Sequence, residues 1–175
     1  MEQKDLKLHP IQAIHIAPRE LLIRSHTPPS VSLEYEEADF DLDLAHSDYN
    51  AEQKQIYIST RITIGSETPE LNDEGLVKGV PFFLRVELVG IFQVNDTEFP
   101  ADRILEWANT NAVFIMYPYM REHVYSLTGR VGFKPALLPL VEVPLFRMDK
   151  PKADQSVGAP AHPGTESTNE TIRNP

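Results

Sequence analysis

The sequence predicts an α+β fold, and three observations predict it. Strand-like alternation of apolar and polar residues runs through the first half of the chain. A three-and-four spacing takes over from about Phe99, and an apolar exit punctuated by prolines follows it. At 175 residues the chain suits one domain with a real core plus a tail, and 41% hydrophobic against 24% charged residues reads as soluble and globular.

Ile11 to Ile16 and Leu21 to Arg24 read as one strand interrupted at Pro18, which cannot donate a ladder hydrogen bond and so marks an edge or a bend. Val31, Leu33 and Tyr35 open a second strand on odd positions, and Phe40, Leu42 and Leu44 continue it on even ones. A pattern of period two cannot change parity without an irregularity, so a bulge or bend is expected between Glu36 and Asp39. The third strand, 55–64, is the cleanest: Ile56, Ile58, Ile62 and Ile64 share one face, and Gln55, Tyr57, Ser59, Arg61 and Thr63 the other. Gly65 to Gly79 is a polar loop carrying Pro69, Asn72-Asp73 and Gly75.

The fourth strand, Val80 to Val94, is greasier than one core needs. Its even face is apolar throughout, yet Phe83, Val89 and Ile91 lie on the other. An antiparallel sheet with one solvated face should be polar there, so a helix, a ligand or, as expected here, another subunit covers it. Leu84, Val86 and Leu88 are the candidate residues for an interface between copies.

Leu105, Ala108, Ala112, Ile115/Met116, Met120, Val124 and Leu127 then form the stripe of an amphipathic helix. Pro118 removes the hydrogen bond to the carbonyl of Phe114, so the helix is expected to kink or split there, and Gly129 to stop it. Pro135, Pro139 and Pro144 rule out a regular helix beyond. Residues 1–147 are thus expected to form one domain. Residues 148–175, with four prolines, many polar residues and no aromatics, form an expected disordered tail.

The formal charge of −10 belongs to the fold, because 148–175 adds only −1 (Lys150, Lys152 and Arg173 against Asp149, Asp154, Glu166 and Glu170). Such a field opposes nucleic-acid backbones and suits a basic partner or solubility itself. No window approaches the roughly 18 apolar residues of a membrane span, and no signal peptide is evident, so a cytoplasmic protein without membrane insertion is expected. With no cysteine there are no disulfides and no thiolate chemistry. The six histidines lack ligand spacing, and no phosphate loop, nucleophile elbow or His-Glu-x-x-His is present. Asp39, Asp41 and Asp43 point to one side of strand two; a straight row diverges too much to hold a metal and reads as a solvated face or a docking strip for a basic partner. The aromatics cluster on strands two and four and around the helix break, where a kinked helix on a sheet can leave a groove suited to extended apolar peptide.

The motif order resembles the SecB export-chaperone family. It consists of Gly90-Ile91-Phe92 ending a strand, Tyr117-Pro118-Tyr119-Met120-Arg121-Glu122 on the helix and the exit Pro135 to Pro139, with Phe40-Asp-Leu-Asp-Leu44 and strand 55–64 upstream. The resemblance covers roughly 9–146. It implies a four-stranded antiparallel sheet with a kinked helix packed on one face, assembled as a dimer of dimers, with no cofactor and no enzymatic activity. It implies an ATP-independent holdase that keeps unfolded preproteins for the Sec translocase and its SecA motor. Phe82, Tyr117 and Tyr119 match groove aromatics of the family; Tyr35, Phe40, Phe92 and Phe114 complete the candidate polypeptide-binding groove. Two features depart from the family: no helical stripe follows the exit, and an acidic position of the motor-docking face reads Arg85, with Glu87 two residues on. The 117–130 run also resembles SecB-like chaperones of toxin–antitoxin pairs, which implies an antitoxin as an alternative client. A reading from another class is a small α+β ligand binder or enzyme using the groove, for which the sequence offers only Glu122 and His123 as polar groups.

Overall fold

The computed structural model describes residues 7–27 and 39–142. Strand residues Val31, Leu33 and Tyr35, the bulge expected between Glu36 and Asp39, and the tail 148–175 lie outside the described residues. Four strands, β1 (Ile11–Ser25), β2 (Phe40–His46), β3 (Gln55–Ile64) and β4 (Phe82–Val94), form one antiparallel sheet in the order β1-β4-β3-β2. The expected four strands are there, and the chain from Phe99 onward is helical as its spacing requires. A 3-10 turn, Ala101–Arg103, leads into α1 (Ile104–Thr110) and α2 (Ala112–Arg130), which cover one face of the sheet.

β1 is an edge strand that runs straight through Pro18. The irregularity that proline announces appears as the register shift between Pro18 and Glu20; another, earlier one lies between Ala13 and His15. An edge has one row of backbone groups without a strand partner, which is where a missing N–H is tolerated. β3 alternates as its sequence demands, with Ile56, Ile58, Thr60, Ile62 and Ile64 buried. The even face of β4 (Phe82, Leu84, Val86, Leu88, Phe92 and Val94) is fully buried against α1 and α2 in the single chain.

That burial corrects one expectation. Leu84, Val86 and Leu88 are core residues, because side chains with essentially no exposed area in one chain have no surface to offer a second. The face left for other partners is the odd one.

The helical layer carries two further corrections. Its interruption falls at Asn111, between α1 and α2, and α2 continues through Pro118. Pro118 sits on the exposed side of α2, where water can serve the carbonyl that loses its amide partner. The buried stripe is Ile104, Trp107, Ala108, Ala112, Met116, Tyr117, Met120, Val124 and Thr128, so Leu105 and Ile115 point outward. The helix runs through Gly129 to Arg130, and the left-handed residue that ends it is Gly132. Gly132, at φ 87°, donates to the Gly129 carbonyl (3.2 Å), while the Phe133 amide reaches back to the Thr128 carbonyl (3.2 Å). This Schellman pair satisfies the last carbonyls and needs a left-handed residue at the turn.

Gly90 explains why the strand motif carries a glycine. A Cβ there would lie 2.7 Å from the Phe92 ring and 3.2 Å from Met116 Sδ, so the gap at Gly90 lets α2 lie close on β4. Phe92 meets Trp107 edge-on with ring centroids 5.4 Å apart.

Candidate functional site

The outer side of α2 is unusually apolar for a solvent face. Ile115, Pro118, Tyr119 and Tyr125 are exposed along it, with Glu122 between them. Tyr119 keeps 51% of its surface in water, and Ile115 lies four residues before it, one turn away on the same face. After the Gly132 turn the chain runs back along α2 as a strap without helix or strand, residues 133–141.

Side chains of α2 hold this strap by its backbone. Thr128 Oγ1 accepts from the Ala136 amide at 2.9 Å, Arg121 Nε donates to the Leu138 carbonyl at 3.0 Å, and the Tyr117 hydroxyl donates to the Pro139 carbonyl at 2.7 Å. The order of these contacts, from 128 to 117 along the helix and 136 to 139 along the strap, makes the two antiparallel. Phe133 and Leu138 plug the core, Phe133 tilted on Phe82 at 5.2 Å between centroids. Leu137 and Leu140 stay 67% and 83% exposed. Burial pushes the Tyr117 phenol above its ordinary range, with the Arg121 charge opposing.

The expected groove set therefore divides. Tyr119 is open, and Phe40 and Phe114 are half-buried. Tyr117 is 4% exposed and carries the strap. Phe82 and Phe92 are wholly buried in the core, as alternation on β4 puts them on the helix side; neither reaches the surface. Tyr35 lies outside the described residues. Sequence reasoning missed Ile115, Leu137 and Leu140. The signal was present in the proline-punctuated exit, whose leucines cannot all face a core while prolines hold the backbone extended.

The opposite, uncovered face of the sheet is built around one carboxylate. Glu87 accepts from Arg61 Nε and Nη2 (3.1 and 2.8 Å), Arg19 Nη1 (3.1 Å) and Ser59 Oγ (3.2 Å). Arg19 is the residue skipped by the second register shift of β1. Hydrogen bonding from Arg61 holds the Glu87 carboxyl below the usual carboxylate range, against the opposing effect of burial. Arg85 on the same face sits 3.1 Å from Glu67 and 3.8 Å from Glu20, its guanidinium 5.1 Å from the centre of the Phe83 ring. Asp41 and Asp43 are exposed opposite Thr63 and Arg61, which puts them on this face; Asp39 precedes the strand and is also exposed. Glu122 and His123 approach to 3.3 Å near the apolar strip. Among the described residues no cluster of three His, Asp or Glu side chains could hold a metal, and no helix is long and apolar enough to cross a membrane.

Known proteins are similar to this chain in sequence and in fold. Residues 4–152 match the family model of SecB, preprotein translocase subunit SecB. The chain is 29% identical over 139 residues to the protein-export protein SecB of Chromobacterium violaceum, covering 78% of this chain and 84% of that one. It is 39% identical over 44 residues to the SecB-like chaperone Rv1957 of Mycobacterium tuberculosis, a quarter (25%) of this chain and 24% of that protein. The solved structure of Rv1957 in complex with a ChAD peptide from the Rv1956 HigA1 antitoxin superposes at a TM-score of 0.59 and 20% identity. It covers 75% of this chain and 91% of that one, and is a likeness of fold. With the four-stranded sheet, the helical layer and a family match spanning nearly all of both, the chain belongs to the SecB family.

Proposed function

We propose that this chain is an ATP-independent holdase chaperone that keeps non-native polypeptide on the apolar strip formed by the outer side of α2 and the strap. The observation that carries the reading is Tyr119. An aromatic ring half in water, with Ile115 exposed one turn before it and Leu137 and Leu140 exposed on the strap, costs a folded protein free energy unless something apolar covers it. An unfolded chain offers such cover without a defined side-chain sequence, and family membership points the same way. The clients proposed are preproteins destined for the Sec translocase, in the cytoplasm, as for the export proteins to which most of the chain is similar.

Dedication to an antitoxin is the second reading, favoured by the local similarity to Rv1957, whose solved structure holds an antitoxin peptide. Contact with a basic partner, the SecA motor included, would fall to Asp39, Asp41 and Asp43, since Glu87 and Arg85 are engaged within the chain. Assembly of copies would use surfaces other than Leu84, Val86 and Leu88. The fifteen-residue edge of β1 and the half-buried Val89 and Ile91 of the open face are those on offer.

The test is light scattering from a chemically denatured client diluted into buffer with the purified protein and no nucleotide. Suppressed aggregation at stoichiometric amounts is expected; unaltered scattering would sink the holdase reading. Repeating the assay with an export preprotein and with an antitoxin separates the two client classes.

A further inference from the structure

The ring that the groove reading most needs is covered by the chain itself. Tyr117 is 4% exposed, and its hydroxyl is spent on the Pro139 carbonyl. One turn further along α2, Arg121 spends its Nε on the next carbonyl back, Leu138. Both acceptors are backbone groups, so neither bond depends on the identity of the strap's side chains. Any extended polypeptide could displace the strap and cover the same ring. The strap is also built like such a polypeptide: Pro135 and Pro139 lack amides, no helix or strand forms, and apolar side chains alternate between the helix and solvent, with Leu138 in and Leu137 out.

We propose that residues 135–140 are an intrachain occupant of the client track, and that Arg121 and Tyr117 are the positioning residues that latch it there. A client strand then binds in two stages. It first meets the exposed side chains of α2, Ile115 and Tyr119 among them, and then displaces the strap and covers the Tyr117 ring. The latch makes the folded chain less sticky when idle, because the strap covers Tyr117, and it lowers client affinity by the cost of releasing the strap: the two latch bonds, the Ala136 bond to Thr128 and the burial of Leu138. This inference rests on the holdase reading and specifies how its site is regulated.

The experiment uses the full chain in four forms: wild type, Arg121→Met (stem kept, donors removed), Arg121→Lys (a donor restored) and Tyr117→Phe (ring kept, hydroxyl removed). The probe is fluorescently labelled, reduced and carboxymethylated α-lactalbumin, a permanently unfolded polypeptide, followed by anisotropy. Removing one net hydrogen bond should tighten client binding by about fivefold in Arg121→Met and in Tyr117→Phe, mainly through faster association, with Arg121→Lys returning toward wild type. A merely structural role would loosen or leave the affinity, not raise it.

Because the chain has no cysteine, Leu137→Cys carries a single spin label on the strap. Label mobility should rise in the Arg121→Met background and on saturating the wild-type background with client. Equal or weaker client binding in both latch variants, or a label that client does not mobilise, would overturn the proposal while leaving the holdase reading intact. Failure of the wild type to bind the probe at all would take both down.

Discussion

The two faces of the same sheet were made from the same alternating strands, yet they differ in what holds them. On the covered face every large side chain of β3 and β4 is removed from water, and the cohesion is packing against Trp107, Met116, Met120 and Val124. On the open face Phe83 is hidden beneath the Arg85 guanidinium, and Glu87 draws in Arg61 of β3 and Arg19 of β1. Charges do there what helices do on the other side: they tie the edge strand to the centre. The excess of apolar residues on β4 is therefore not a second core. It is one core face and one face of mixed chemistry, whose half-buried Val89 and Ile91 remain available.

The largest test of that contrast puts a carboxylate on each face. Val86→Asp buries a charge at a fully enclosed site and should cost about 4 kcal/mol or more, enough to abolish cooperative unfolding in a denaturant titration. Val89→Asp on the open face should cost about 1 kcal/mol or less. Similar midpoints for the two variants would mean the faces are misassigned.

Gly90→Ala asks how tightly α2 is fitted to β4. The added methyl meets Phe92 and Met116 and should cost about 1–3 kcal/mol, read as a fall in the thermal midpoint.

Glu87→Gln probes the charged face. It leaves Arg61 and Arg19 without their counter-charge, but both are substantially solvated, so about 1–2 kcal/mol is expected. The pH dependence gives the sign. A carboxyl held below its ordinary value in the folded chain adds stability that is fully present above the unfolded value, about 4.3. That stability is lost as pH falls through the lower folded value. Wild type should thus lose stability more steeply than Glu87→Gln as pH drops below about 4.3, and parallel acid limbs would contradict it.

Tyr119→Ala should be the mildest for the fold, within about 0.5 kcal/mol. It should nonetheless weaken client binding by about tenfold, the effect of losing an aromatic anchor. A client Kd equal to wild type would remove Tyr119 from the site.

Much of this organisation was legible in the residues. The isoleucines of β3 and the even positions of β4 declare a shared face because side chains of a strand alternate, and Pro18 declares an irregular edge because it has no amide to give. The candidate site was legible in part. Tyr119 was found through its motif, whereas Phe82 and Phe92 were drawn into the groove by being aromatic, and burial returns them to the core. The strap's leucines were passed over, since a proline-rich exit carries no period that tells inside from outside.

The amino-acid sequence by itself determined which residues share a face, where strands give way to helix, and that the acidity lies in the fold, because these follow from local geometry and composition. Only the tertiary structure decided which face the helices cover, that the helical layer breaks at Asn111 and passes Pro118, that Glu87 gathers two arginines from other strands, and that the exit folds back onto Tyr117 and Arg121. The physical reason is common to all four. Each depends on contacts between residues far apart in the chain, and a periodic pattern states what one element can bury, not which partner arrives to bury it.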